Sequence, residues 1–113
     1  SGPAMSSDHE RTEGERLEPA AIAARAATGD AGCARTMERY ERRLARALAH
    51  VINLLDPEII VVGGGVSTIE RIYANVPRAW KEFVYSETVT TRLVRAAHGD
   101  ASGVRGAAWL WDG

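Results

Sequence analysis

The chain of 113 residues has one cysteine, no excess of either charge and no long apolar run. Because Cys33 has no second cysteine to pair with, an internal disulfide and a multi-cysteine zinc site are both excluded. Lys plus Arg number 14 and Asp plus Glu 15, so the formal charge of −1 gives no electrostatic footprint for nucleic acid. The apolar runs, such as residues 59–62, are far shorter than the roughly 18 residues that indicate a membrane span.

The remaining composition is typical of one folded domain, with 45% hydrophobic and 26% charged residues. No charged, then apolar, then small-residue segment opens the chain, so we expect a cytoplasmic protein without a membrane partner. The sequence opens with Ser1 and its first methionine is Met5. Residues 1–4 fit either a tag remnant or the start of a piece cut from a longer protein.

The first 30 residues predict a helical arm or hairpin. Residues 6–16 are polar and charged, which indicates an exposed short helix or a mobile arm that Gly14 ends. Pro19 suits the first position of a second helix. Gly29 suits the position just past the end of that helix.

The longest predicted element is an amphipathic helix over residues 31–55, with Asp30 as its N-cap. Apolar residues recur there at steps of three and four, which places them on one face. They are Met37, Tyr40, Leu44, Ala47, Leu48, Val51 and Leu55. Five arginines lie mostly off this stripe, at positions 35, 39, 42, 43 and 46. Because Glu38 and Glu41 are interleaved with them, a solvated face is favoured over a phosphate-binding surface.

The long helix is followed by a predicted parallel strand. Asp56-Pro57 ends the helix, because proline disfavours helical backbone in the residue before it. Residues 58–62 (EIIVV) are β-branched and apolar in succession, as in a strand covered on both faces. After three glycines, Ser67 and Glu70 have the spacing of a capping box that opens the next helix.

That helix is predicted to run to Tyr85, with a kink or break at Pro77. Residues 90–97 indicate a second strand, and a last short helix is predicted through residues 107–110. Helices that alternate with strands indicate an α/β fold with crossover connections. Residues 31–113 would form its core.

A strand, the glycines Gly63, Gly64 and Gly65, and a capped helix follow one another, an order that suits anion or nucleotide binding. Glycine permits positive φ and close approach of a ligand to the backbone. Both standard motifs are incomplete, since Thr68 stands where G-x-G-x-x-G needs its third glycine and the only lysine is Lys81. The spacing fits a ligand site and a ligand-free turn equally well.

The remaining candidate residues favour structural roles. His50 lies in the long helix, and a dyad of His98 with Asp100 competes with an N-cap role for Asp100, which is favoured. Cys33 has no motif around it, which favours an inert thiol. Three tryptophans at helical spacing favour core positions over stacking on an adenine ring: Trp80, Trp109 and Trp111. We therefore predict no catalytic residue and no metal ligand in this chain.

Residues 40–67 (YERRLARALAHVINLLDPEIIVVGGGVS) resemble the C-terminal lobe of ROK-family sugar kinases. The ending at residues 98–111 (HGDASGVRGAAWLW) is similar to the fructokinase and mannokinase branch. Residues 1–4 (SGPA) resemble the segment that follows the family's zinc-binding stretch. The resemblance covers essentially the whole chain and identifies it as the C-terminal segment of such a kinase.

The resemblance implies an actin-like (ribonuclease H-like) ATPase lobe that is incomplete here, with several helices around a short sheet. It also implies that Gly63, Gly64 and Gly65 contribute to an ATP site, with Mg²⁺ as cofactor and a hexose bound by the missing lobe. The phosphate loop, the catalytic aspartate and a structural zinc site would lie upstream, so we expect the chain alone to be inactive. A sugar-responsive repressor of the same family and a ligand-free α/β scaffold are the alternatives. We also expect a homo-oligomer that does not bind nucleic acid.

Overall fold

The computed structural model describes residues 2–97 and 107–112, a mixed α/β arrangement of helices around a short sheet. Its helices are α1 (Gly2–Glu13), α2 (Pro19–Ala27), α3 (Ala31–Leu55) and α4 (Ile72–Trp80), with a short 3-10 helix at Gly65–Thr68. Its strands are β1 (Ile59–Gly64), β2 (Arg92–Arg95) and β3 (Ala107–Asp112). In these two ranges no helix is long and apolar enough to cross a bilayer.

The strand β1 lies at the centre of a parallel three-stranded sheet in the order β2–β1–β3. The side chains of Ile60, Val61 and Val62 are all buried, because a central parallel strand is covered on both faces. This confirms the parallel strand that the apolar run predicts. The second predicted strand is also confirmed, although β2 is shorter than residues 90–97.

The last described element is a strand, so the predicted helix over residues 107–110 is wrong. β3 pairs with β1 over its whole length and occupies the edge that β2 leaves free. Backbone groups on that edge of a buried strand need hydrogen-bond partners, and this need outweighs the helix propensity of Ala107 and Ala108. The predicted cap Asp100 and its neighbour His98 lie outside the described residues.

The long helix α3 has the predicted bounds and caps. Asp30 accepts a hydrogen bond from the Cys33 N–H at 3.0 Å, and Asp56 ends the helix in a left-handed conformation with φ of 45°. The apolar stripe faces the core, where it packs with residues of α2, β1 and α4. Four of its predicted members are buried: Met37, Tyr40, Leu44 and Leu48. Ala47 and Leu55 are exposed, so the prediction is wrong for these two, and Ile52 is buried instead.

The helix α2 also agrees with the sequence. Pro19 is its first residue, and Gly29 follows its end with φ of 103°. By contrast, α1 is a helix of 12 residues that stops before Gly14 but is not an exposed arm. Its residues Ser6, Asp8 and His9 are buried, so the prediction that residues 6–16 are exposed is wrong for this face.

The helix α4 is shorter than predicted. It begins at Ile72 and ends at Trp80 rather than at Tyr85, and Pro77 lies inside it. The predicted capping box does not form, because the Ser67 hydroxyl donates to the carbonyl oxygen of Gly64 instead. The backbone after β1 therefore makes a 3-10 turn before α4 starts.

Charged groups hold α1 against α3. The Asp8 carboxylate, whose side chain is 4% exposed, lies 3.0 Å from Arg39, 3.4 Å from Arg43 and 2.9 Å from Arg11. At the far end of α1, Glu13 pairs with Arg35 at 2.8 Å. The basic face of α3 is thus covered in part by α1, which the sequence does not indicate.

Asp8 makes this contact sensitive to acid. Burial raises the pKa of Asp8, but hydrogen bonds and charges from Arg39 and Arg43 outweigh it, so the pKa lies below its usual value. Because the pKa of Asp8 is lower in the folded state, its ionised carboxylate stabilises the fold at neutral pH. This stabilisation is lost as the pH falls through the folded-state pKa. We expect Asp8→Asn to lower the free energy of unfolding at neutral pH by about 1–2 kcal/mol.

Urea unfolding at neutral pH and at about pH 3 measures this effect. Asp8→Asn should lose less stability on acidification than the unchanged protein. Glu15→Gln is the matched control, because the pair between Glu15 and Arg25 at 3.1 Å is half exposed and contributes little. Equal losses in Asp8→Asn and the unchanged protein would contradict the assignment.

Candidate functional site

The three glycines form the turn that leaves β1. Gly63 is buried, Gly64 is partly buried, and Gly65 is exposed at the start of the 3-10 helix. Gly64 has φ of 79° and ψ of −165°, a region that only glycine adopts without strain. Hydroxyl groups fix the turn, since Ser67 donates to the Gly64 carbonyl and Thr68 donates to the Gly65 carbonyl at 3.0 Å.

This turn lies at the carboxyl edge of the parallel sheet. In open α/β sheets, ligands bind at that edge. The structure therefore places Gly65 at the expected edge, with open space around it: no atom lies within 4 Å of a Cβ built on this residue. The backbone at Gly65 is accessible to a ligand.

A hollow of about 270 Å³ lies beside Gly65, and we call it the glycine hollow. It is lined by Gly2, Pro3, Ser6, Arg16, Glu18, Pro19 and Gly65. The Arg16 side chain is half exposed and is held by Glu10 at 3.2 Å and by Ser7 at 3.5 Å. Such an exposed ion pair is weak, so the guanidinium is free to bind an anion instead.

A second hollow, of about 360 Å³, is lined in part by Thr68 of the 3-10 helix, and we call it the alanine hollow. Four alanines of α2 form one wall and the segment after the 3-10 helix forms the other. They are Ala20, Ala23, Ala24 and Ala27, opposite Thr68, Ile69, Glu70 and Arg71. Its surface is mostly apolar, in contrast to the glycine hollow.

The two hollows together suit a ligand with two different ends. An apolar slot accepts a flat ring, and a neighbouring polar hollow with an arginine accepts hydroxyl or phosphate groups. Gly65 lines one hollow and Thr68, in the same 3-10 turn, lines the other. The sequence indicates the glycines, but not Arg16 or the alanines of α2.

The other candidate residues lie elsewhere. His50 is exposed and lines a depression with Arg46, Phe83 and Tyr85, away from both hollows. Trp80 is 1% exposed, which confirms the predicted core position. The side chains of Trp109 and Trp111 lie outside what the structure describes.

A buried polar cluster lies between α1 and α3, and no sequence motif indicates it. The Thr36 hydroxyl donates to the Gly32 carbonyl, so it accepts from Nδ1 of His9 at 2.7 Å. Nε2 of His9 then accepts from the Cys33 thiol at 3.9 Å. Burial raises the pKa of Cys33, so the thiol stays protonated and is a poor nucleophile. We interpret the cluster as structural.

Among residues 2–97 and 107–112, no group of three or more His, Cys, Asp or Glu side chains is placed to hold a metal ion. The carboxylates near the glycine hollow, Glu10 and Glu18, do not form such a group.

The family model, the curated relatives and a solved structure all indicate one family. A model of the ROK family matches residues 1–113. The chain is 39% identical over 97 residues to an N-acetyl-D-glucosamine kinase of Photobacterium profundum, an alignment that covers 86% of this chain and 32% of that protein. It is 37% identical over 84 residues to the N-acetyl-D-glucosamine kinase of Vibrio parahaemolyticus, with 74% and 28% covered.

A solved structure also matches. The crystal structure of a ROK family transcriptional regulator, a homologue of the E. coli MLC protein, has a TM-score of 0.62 and 25% identity. That match covers 82% of this chain and 26% of the regulator. The chain thus spans about a third or less of the length of the proteins it matches.

The glycine turn gives a prediction about stability. Gly64→Ala should lower the free energy of unfolding by about 1–3 kcal/mol, because alanine is strained at a φ of 79°. Gly65→Ala should change it by less than about 1 kcal/mol, because its Cβ meets no atom. Urea unfolding of both variants measures the difference. Equal losses would show that the turn is not as described.

Proposed function

Because the chain belongs to the ROK family, we propose that it is the C-terminal nucleotide-binding segment of an ATP-dependent hexose kinase. The observation that carries the proposal is the glycine turn, in which Gly65 lines one hollow and Thr68 lines a second. Its relatives over this region are named as N-acetyl-D-glucosamine kinases, which supports a kinase. We assign the fold to the C-terminal lobe of an actin-like ATPase, incomplete in this chain.

The geometry fits ATP in one orientation. The adenine ring would lie in the alanine hollow, against Ala23 and Ile69, and the ribose and phosphates would cross Gly65 into the glycine hollow. The space over Gly65 is open because glycine has no side chain, and the ribose and phosphates would pass through it. A larger residue at this position would fill that space. Arg16 would bind a phosphate oxygen, and Glu18 would accept a hydrogen bond from a ribose hydroxyl.

The rest of the reaction belongs to segments outside this chain. ATP supplies the γ-phosphoryl group, which passes to a sugar hydroxyl. The catalytic aspartate, the Mg²⁺ ligands and the structural zinc would all lie upstream. This chain would bind and orient the nucleotide, with Gly63, Gly64 and Gly65 at the turn.

The sugar is proposed only as a hexose. The ending at residues 98–111 resembles the fructokinase and mannokinase branch, whereas the similar curated kinases carry the name of N-acetyl-D-glucosamine. Both substrates are hexoses, and the contacts that distinguish them would lie in the missing lobe. We propose a cytoplasmic homo-oligomer, as expected from the sequence.

A sugar-responsive repressor of the same family is the second candidate. The similarity to the ROK regulator favours it, because that structure shares the fold of this segment. The sequence upstream decides between the two. An intact phosphate loop indicates a kinase, and a helix-turn-helix with a degenerate loop indicates a repressor.

Gly65 gives a test of nucleotide binding. In the full-length protein that contains this chain, Gly65→Val should raise the KM for ATP about tenfold or more, because the side chain fills the path between the hollows. The KM for the sugar and the free energy of unfolding should change little. Steady-state kinetics and urea unfolding on one preparation measure all three quantities.

Gly29→Ala is the matched control, because it strains a glycine with φ of 103° that lies in neither hollow. It should lower stability and leave the KM for ATP unchanged. If Gly65→Val leaves the KM for ATP unchanged as well, the glycine turn does not contact the nucleotide.

A coupled assay tests the reaction itself. The full-length protein should consume ATP with fructose, mannose, glucose or N-acetyl-D-glucosamine, and the preferred sugar identifies the branch. The 113-residue chain alone should show no turnover, because its sequence has no phosphate-loop motif and the catalytic base would lie upstream. Turnover by the chain alone, with contaminating kinases removed, would refute the division of roles.

A further inference from the structure

A buried carboxylate on α3, Glu41, is bound by two side chains from the start of α4. Arg71 donates to both carboxylate oxygens, from Nε at 2.7 Å and from Nη2 at 3.0 Å. The Asn75 amide donates to the same two oxygens at 3.2 and 3.3 Å. The Glu41 side chain is 7% exposed and that of Arg71 is 33% exposed.

This contact has a defined geometry. Two parallel N–H···O bonds between a planar guanidinium and a carboxylate fix the orientation of both groups, not only their distance. Both Glu41 oxygens are fully used, so the carboxylate cannot turn to another partner. Such a buried pair usually adds little net stability, because desolvation offsets much of the attraction.

Arg71 also belongs to a wall of the alanine hollow. It lines that hollow with Ile69 and Glu70, in the segment that joins the 3-10 helix to α4. The backbone of this segment is bonded on both sides: the Ile69 N–H donates to Val66 at 3.0 Å, and Ile69, Glu70 and Arg71 accept from residues 72, 73 and 75 at 3.3, 3.2 and 3.0 Å. These bonds fix the backbone but leave the orientation of the Arg71 side chain open. Arg71 is the N-cap of α4 and makes no side-chain cap.

The opposite end of the contact is anchored. Glu41 lies in the middle of α3, the helix of 25 residues whose apolar face forms much of the core. The Arg71 side chain, at the end of segment 69–71, is therefore tied through one bidentate contact to the longest helix among the described elements.

We propose that Glu41 is a positioning residue for the nucleotide, holding Arg71 so that residues 69–71 form the wall against which the base binds. The inference rests on the proposed function, since it takes the alanine hollow as the base site. Glu41 does not itself line that hollow and does not touch the ligand. It acts through Arg71.

Two substitutions test the contact in the full-length protein. Glu41→Gln removes the charge and one of the two acceptor oxygens, and Arg71→Lys keeps the charge but cannot form the parallel bonds. Each should raise the Kd for ADP, measured by isothermal titration calorimetry, at least about fivefold, as for a residue coupled to a binding site. The KM for the sugar should not change. If Glu41→Gln does not fold, Arg71→Lys alone carries the test.

The pair between Arg42 and Glu82 provides matched controls. It also joins α3 to the region after α4 through two parallel bonds, each of 3.2 Å, but it is exposed and lines neither hollow. Glu82→Gln and Arg42→Lys should leave the Kd for ADP unchanged.

Each outcome decides the matter. A lower unfolding free energy in Glu41→Gln and Arg71→Lys with an unchanged Kd for ADP would overturn the positioning role, since the contact would then serve stability alone. An equal rise in the KM for the sugar would also overturn it, because the effect would not be confined to the base site. Failure of the unchanged protein to bind ADP would instead refute the proposed function, and the inference with it.

Discussion

The position of β1 is the constraint on which the other features depend. The strand is buried on both faces and paired on both edges, so its backbone has no freedom to bend before it ends. The chain must then turn sharply at the sheet edge, and Gly64 adopts the φ of 79° that this turn requires. The same turn leaves Gly65 exposed with open space around it. The segment at Gly64 and Gly65 therefore both ends the buried strand and leaves its backbone accessible to a ligand.

The helix α3 divides its surface between two kinds of contact. Its apolar stripe joins the core, whereas its charged face binds neighbouring helices through Asp8 of α1 and Arg71 of α4. Interleaved charges on a helix predict a solvated face, but here several of those side chains hold other elements in place. Glu41 is the clearest case. Its position among arginines predicts that it is exposed to solvent, but its side chain is only 7% exposed.

The sequence predicts the elements whose signals are local. Caps and periodicity predict α3, proline and glycine predict α2, and an unbroken β-branched run predicts β1, because each signal lies within its own segment. The sequence-based prediction fails at β3, because its pairing partner β1 is distant along the chain. It also fails at Ser67, because the hydroxyl donates to the nearby Gly64 carbonyl instead of capping a helix. The glycines of the candidate site are evident from the sequence. Arg16 is not, because its place beside Gly65 depends on how the loop before α2 packs.

The candidate site takes its walls from three separately stabilised parts. Gly65 is fixed by the sheet, the alanines belong to α2, and residues 69–71 are tied to α3 through Arg71. A ligand that crosses the 3-10 turn would touch all three at once, so its binding energy would favour the one arrangement in which they are correctly spaced. Ile69 is buried in the core and its N–H donates to Val66 at 3.0 Å. The partly exposed Arg71 side chain at the other end of this wall takes its orientation from a contact outside the hollow, which is the role the bidentate pair can serve.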